Sequence, residues 1–357
     1  MVNLGFWEKL NKPIFVLAPM ADVTDAAFRR VIAKYGKPDV FWTEFVSADG
    51  LVLAPREGKE KLLRNLEYTE AERPIVAQFF TSTPEHMEKA AHLAQELGFD
   101  GVDINMGCPD KSIERQGAGA SLVKTPDIAR ELIRSAKKGA QSAGWRMPVS
   151  VKIRLGYNKD ELETWLPELL AEEPAVITVH ARTRKEMSKV PANWDRVKRA
   201  VEIRDKVKSK TLIFGNGDVK DMTDAMQKVK ETGCDGVMFG RAIFGNPWLF
   251  RGKENIAQKT TEVFSAENRP DSRADALRDG FLSQYHPSSK EKLNVLVEHT
   301  KLFEKLFKDD KNFAIMKKHF KAYVNGFPGA SELRQELMNT ETAREVEEIV
   351  AKFLKER

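Results

Sequence analysis

Two cysteines, Cys108 and Cys234, are all the thiol that the 357-residue chain carries. So widely separated a pair forms neither a disulfide framework nor a cluster of zinc ligands, and a reducing cytoplasm is the expected compartment, with no metal. No apolar run is long enough to cross a bilayer, and residues 1–11 lack the hydrophobic stretch of a signal peptide, so no membrane association is expected. An excess of one charge is also missing, because 58 Lys and Arg stand against 53 Asp and Glu for a net charge of +5. That mild bias permits a polyanionic partner without demonstrating one. Tandem repeats and low-complexity tracts are absent beyond an alternation of short apolar runs with helical segments.

Apolar residues make up 41% of the chain and charged residues 31%, the balance of a globular protein large enough for one big domain and a smaller appendage. Short, β-branched apolar runs recur at Ile14–Met20, Asp39–Val46, Pro74–Phe80, Gly101–Gly107, Pro148–Leu155, Val176–Arg182, Thr211–Asp218 and Gly236–Phe244. Helical stretches such as Pro84–Leu97, Thr125–Lys138 and Met222–Thr232 separate them. Eight strand–helix units in about 250 residues describe an α/β fold of the (β/α)8 TIM-barrel type better than an open sheet. From Glu291 the pattern turns helical, with Leu293, Leu296, Val297, Leu302, Phe303, Leu306 and Phe307 on one stripe, and Glu332–Leu337 and Ala343–Phe353 read as further helices. The expected organisation is a barrel over residues 1–250, a polar connector over 251–289 and a small helical domain over 290–357.

Side chains alternate across a strand, so in Val149-Ser150-Val151-Lys152-Ile153-Arg154-Leu155 the apolar parity faces the helices and Lys152 turns toward the barrel axis. An ammonium there needs an anionic or strongly accepting partner. The same reading sends Gln78, Asp103, Asn105, Thr178, His180, Arg182 and Asn216 inward, near the C-terminal strand ends where TIM-barrel enzymes place their chemistry. Each alone is more often a satisfied structural group; together with Lys152 they favour a bound ligand.

Two glycine-bearing segments follow the last two strands: Gly215-Asn216-Gly217-Asp218, and Gly240-Arg241 before Gly245-Asn246-Pro247-Trp248. In TIM barrels these loops commonly hold a phosphate through backbone N–H groups, and Arg241 can add a charge-assisted contact. Tight turns would use the same glycines. Neither segment completes Gly-x-Gly-x-x-Gly, so a mononucleotide-like phosphate is favoured over a dinucleotide. Cys108, in Asp103-Ile104-Asn105-Met106-Gly107-Cys108-Pro109, ends a strand-like stretch and precedes an expected loop from Asp110 to Ala120. A thiol so placed suits proton exchange with a substrate. Cys234 reads as a small core residue.

Ala18-Pro19-Met20-Ala21-Asp22-Val23-Thr24-Asp25, the Cys108 segment, Val151-Lys152-Ile153-Arg154, His180-Ala181-Arg182-Thr183-Arg184, Gly215–Asp218 and Gly240–Phe250 resemble the flavin-dependent tRNA-dihydrouridine synthases, in the family's order across residues 13–250. Lys318-His319-Phe320 through Tyr323 to Ala330 resembles the helical domain of the family's bacterial branch. The resemblance implies FMN in the barrel, a helical domain that helps grip tRNA, and reduction of the uracil 5,6 double bond driven by NADPH or NADH. It implies that Pro19, Met20, Gln78, Lys152, His180, Asn216, Gly217, Asp218, Gly240 and Arg241 line the FMN, with the barrel-end glycines and Arg241 holding its phosphate. It further implies Asn105 and Arg182 on the substrate, and Cys108 giving a proton to C5 of a flipped-out uracil while hydride from flavin N5 goes to C6.

Nine lysines against five acids between Lys290 and Lys321 would suit a solvated helix face, and the resemblance makes them the expected contact to the RNA phosphate backbone. A monomer is expected. Lys185–Asn193 departs from the tyrosine- and glycine-containing stretch usual in the family, and the connector is longer than usual. Two other function classes are an FMN-barrel reductase of a small molecule, which leaves the helical domain without a task, and an RNA-binding barrel that has lost catalysis.

Overall fold

The computed structural model describes residues 2–142, 145–253 and 285–356. Contacts divide the chain into two compact units, residues 1–21 with 39–240, and residues 22–38 with 241–357.

The first unit carries the strands β1 (Ile14–Leu17), β2 (Phe41–Trp42), β3 (Val46–Ser47), β4 (Ile75–Phe80) and β5 (Gly101–Met106). After the short hairpin β6 (Gln141–Ser142) and β7 (Trp145–Arg146) come β8 (Val149–Arg154), β9 (Val176–His180), β10 (Leu212–Asn216) and β11 (Gly236–Phe239). The main sheet runs β1-β11-β10-β9-β8-β5-β4-β2 with parallel pairing throughout, and a parallel bridge between Val16 and Val40 joins its two ends. The expected TIM barrel is therefore present. Its floor is apolar: Trp7 packs with Val16, Trp42, Val76, Val176, Leu212, Phe214 and Met238, all on the inward parity. Polar residues Gln78, Asp103, Ser150 and Thr178 share the inward parity of β4, β5, β8 and β9.

Local sequence sets the ends of the elements. Pro84 and Pro126 open the helices Pro84–Glu96 and Pro126–Gly139 at a position where no N–H is required. The helix Met222–Thr232 starts on Asp221, whose carboxylate accepts the Asp224 N–H, and stops at Gly233 in the left-handed region. The second strand is split rather than continuous over Asp39–Val46, because the Thr43 hydroxyl takes the Gln78 N–H at 3.1 Å in place of a ladder carbonyl. β10 stops at Asn216, since Gly217 and Asp218 adopt φ values of 125° and 52°. The final strand ends at Phe239 and yields to a 3-10 turn, Arg241–Ile243.

The second unit consists of helices Ala26–Tyr35, Ser289–Phe307, Met316–Tyr323, Ala330–Leu337 and Ala343–Lys355. A helical C-terminus was expected; its alliance with residues 22–38 was not. Ala26, Ala27 and Val31 share one core with Leu293, Leu296, Phe303, Phe320 and Leu333, while Lys34 and Tyr35 both donate to Glu298, at 2.8 and 2.6 Å. Contacts thus group the helix Ala26–Tyr35 and residues 241–250 with the helical unit, where the sequence put residues 1–250 in the barrel. Capping boxes at Ser288/Glu291 and Thr342/Glu345 begin two of its helices. His299, His319 and Tyr323 are fully buried in this unit around Phe28, and none of their ring or hydroxyl polar atoms has a hydrogen-bond partner among the described residues. Most of the expected connector, residues 254–284, lies outside the described residues. No described helix is long and apolar enough to cross a membrane.

Candidate active site

β4, β5 and β8 bring one hydrogen-bonded chain together inside the barrel. Register places Gln78 beside Asp103, Asp103 beside Ser150, and Asn105 beside Lys152. Ser150 Oγ donates to Asp103 Oδ1 at 2.5 Å and Gln78 Nε2 donates to Asp103 Oδ2 at 2.6 Å. Asn105 Nδ2 donates to Gln78 Oε1 at 3.1 Å, and Asn105 Oδ1 accepts the backbone N–H groups of Gly107 and Cys108 at 3.1 and 3.0 Å. Burial raises Asp103 to about 6, opposed by the hydrogen bonds from Ser150 and Gln78.

Cys108 thus sits on a turn held from below by Asn105. It is held from the other side too, since Ala120 N–H donates to its carbonyl at 2.9 Å. Residues 110–120 are not an open loop: Asp110 caps a short helix, Lys111–Arg115, and a 3-10 turn begins at Gly119. Gly119 must be glycine there, with φ of 63° and an added Cβ only 2.7 Å from the Cys108 carbonyl oxygen. Burial, the dominant influence, raises the Cys108 thiol above its ordinary value, which keeps it protonated at neutral pH. Lys152 is half-buried, and among the described residues its ammonium makes no hydrogen bond or ion pair. Burial lowers it to about 8, Arg154 adds to that shift, and Asp103 opposes it. Beside it in register, Thr178 Oγ1 is fully buried without a hydrogen-bond partner among the described residues. This pair of unmatched polar groups at one level of the barrel is what a polar ligand would satisfy.

β9 and β10 supply a second cluster. Arg182 is buried and donates through Nε to the Val190 carbonyl at 2.6 Å and through Nη2 to Asp218, while Nη1 lies 3.2 Å from His180 Nε2. Asp218 Oδ2 also accepts the Ala192 N–H at 2.9 Å. Arg154, lowered to about 10 chiefly by burial, donates to the carbonyls of Gly107 at 2.8 Å, Thr183 at 3.1 Å and Met187 at 3.0 Å. Two guanidinium groups and one carboxylate therefore fix residues 183–192 against the Cys108 turn. Asn216 Nδ2 donates to the Met238 carbonyl at 2.8 Å.

The profile described as "Dihydrouridine synthase (Dus)" matches residues 16–357. The chain belongs to the dihydrouridine synthase family. It is 39% identical over 351 residues to the probable tRNA-dihydrouridine synthase 2 of Bacillus subtilis (strain 168), covering 98% of this chain and 96% of that one. It is 37% identical over 351 residues to the probable tRNA-dihydrouridine synthase of Staphylococcus aureus (strain COL), covering 98% and 95%. Among solved structures, histamine dehydrogenase from Rhizobium sp. 4-9 matches with a TM-score of 0.53 at 15% identity, covering 72% of this chain but 48% of that one. A 2-naphthoyl-CoA reductase matches with a TM-score of 0.50 at 13% identity, over 71% and 51%. The alignments span about half of those larger proteins, and at such identities they bear on the fold alone.

In this dihydrouridine synthase, Gln78, Asn105, Lys152, His180, Asn216 and Gly217 lie on one continuous arc of strand ends, from β4 to β10. Pro19 and Met20 follow β1, and an added Cβ at Gly240 would meet nothing nearer than Met20 Sδ at 4.0 Å. Arg241 is exposed and opens the second unit. Sequence reasoning passed over Arg154, although it shares the inward parity of Ser150 and Lys152 and was legible from that alternation. Cys234, at 3% exposure, is the core residue it was expected to be.

Proposed function

We propose that this enzyme reduces the 5,6 double bond of uridines in tRNA to 5,6-dihydrouridine, with FMN as its flavin and NADPH or NADH as the reductant. The observation that carries the reading is the placement of Cys108 on a turn hydrogen-bonded to Asn105 at the end of β5, beside the strand that bears the inward Lys152, whose ammonium makes no hydrogen bond or ion pair among the described residues. The residues present fit a flavin mononucleotide. Among the described residues the Lys152 ammonium makes no ion pair, it lies in register with the Thr178 hydroxyl that has no hydrogen-bond partner there, and the open face at Gly240 leaves room for close approach to backbone. When bound, FMN supplies the hydride that C6 of the uracil accepts.

The protein's own groups do the rest. Lys152 would stabilise negative charge on the flavin when it is bound. Cys108 delivers its proton to C5, the role for which a neutral thiol is needed, and Asn105 keeps the turn that presents it in place. Gly217, Gly240 and Arg241 are the groups proposed for the phosphate, and the lysines between Lys290 and Lys321 for the tRNA backbone. A uridine must leave its stack to reach the thiol. A reductase of small molecules would need the same barrel but no RNA.

Anaerobically reduced enzyme mixed with tRNA lacking dihydrouridine separates the two. Fast flavin reoxidation with a two-dalton gain on the RNA supports the proposal. Equal reoxidation by free uridine or a small enone, with no gain on tRNA, overturns it.

A further inference from the structure

We infer that Asp103 is a positioning residue for Cys108, acting at a distance by dictating the orientation of two buried amides. The inference rests on the reading of Cys108 as the proton donor.

A carboxylate accepts hydrogen bonds and, once ionised, donates none. Gln78 must therefore turn its amino group toward Asp103, which commits Oε1 to face Asn105. Asn105 must then donate to Gln78, which leaves Oδ1 as the only group available to receive the Gly107 and Cys108 N–H groups. One fixed acceptor thus sets both amide orientations and the backbone of the thiol-bearing turn. If Gln78 turned over, Asn105 would face a donor, and its own rotation would present an amino group to two backbone N–H groups. Gln78, Asp103 and Ser150 are at most 2% exposed and Asn105 is 5% exposed, so water is not at hand to absorb such a reversal. Ser150 completes the arrangement by donating to the carboxylate oxygen that Gln78 does not use.

The logic makes Ser150 decisive only in one background. In Asp103→Ala the chain loses its acceptor. In Asp103→Asn it is restored if the new amide gives its oxygen to Gln78 and its amino group to Ser150 Oγ, which as a hydroxyl can accept. Removing that hydroxyl from the asparagine variant frees the amide to rotate, whereas with the native carboxylate both oxygens accept whichever way the group lies.

The test measures turnover of tRNA and, independently of turnover, the alkylation rate of Cys108 by iodoacetamide in the flavin-loaded enzyme. Cys234 is buried and does not compete. Asp103→Ala is expected to lose about tenfold in kcat at unchanged KM, with Cys108 alkylated several-fold faster as its turn loosens. Asp103→Asn recovers most of both values, and adding Ser150→Ala to it removes the recovery. Should Asp103→Ala fail to fold, the comparison of Asp103→Asn with and without Ser150→Ala differs by one hydroxyl and decides the matter. Asp103→Asn as impaired as Asp103→Ala, or no effect of Ser150→Ala in the asparagine background, would overturn the inference. Altered alkylation in a protein whose Cys108→Ala variant keeps full activity would sustain the positioning role and remove the proton-donor reading instead.

Discussion

The six-membered ring of Trp194 packs against Gly215: a Cβ added there would stand 2.2 Å from Cζ3 of the ring, and Nε1 donates to the Gly217 carbonyl at 2.8 Å. Gly215 is on the outward parity of β10, where the helix Trp194–Lys206 packs. Its lack of a side chain serves that packing, while Gly217, in the left-handed region, serves the turn.

Gly215→Ala is accordingly expected to cost about 1–3 kcal/mol by overpacking, because the indole is held at its far end and cannot withdraw. The unfolding midpoint in urea should fall with flavin affinity little changed. Undiminished stability with lost flavin would instead assign this glycine to the ligand.

Arg182 was expected to touch substrate. Its side chain is 3% exposed and engaged with Asp218, the Val190 carbonyl and His180, so the ion pair should be felt first as stability. Arg182→Ala removes the guanidinium from the Asp218 carboxylate and the donor from the Val190 carbonyl, and a loss of about 1–3 kcal/mol is expected. Limited proteolysis should then cut within residues 185–193 in the variant and spare them in the parent protein. Unchanged melting with a raised KM for tRNA would favour the substrate role.

His299 and His319 give the helical unit a pH dependence. Burial holds His299 at about 3, and His319 lies well below its ordinary value for the same reason, with His299 and Lys318 adding to it. Both rings stay neutral when folded and take up protons freely when unfolded. Stability is therefore complete above the ordinary histidine value of about 6.5 and declines as pH falls below it, by about 2 kcal/mol at pH ~5 from His299 alone. Urea unfolding at neutral and mildly acid pH should show this loss, and His299→Leu should flatten it. A slope that His299→Leu leaves untouched would place the sensitivity elsewhere.

The barrel and its polar mouth were legible in the sequence because period-two alternation does not depend on distant parts of the chain. Lys152, Gln78, Asp103 and Asn105 stand out as polar residues on the inward parity of apolar strands. The reason for each glycine was not legible, since it depends on Trp194 meeting Gly215 across the strand and helix register. The split second strand was hidden in the same way, because it turns on a Thr43 hydroxyl replacing a carbonyl for Gln78. The helix at Ala26–Tyr35 lies near the start of the chain, yet its apolar face is completed only by residues beyond 289. Nor did the segment after Cys108 announce itself as helical, because Lys111–Arg115 is too short to show a period.

The role of Cys108 is tested most directly by single-turnover reduction of tRNA with Cys108→Ala enzyme carrying prereduced flavin. The variant should hold flavin and accept electrons from NADPH at the parent rate, yet form dihydrouridine about a hundredfold or more slowly, the usual scale of a lost general acid. Dihydrouridine formed at the undiminished rate would show that the proton at C5 comes from elsewhere.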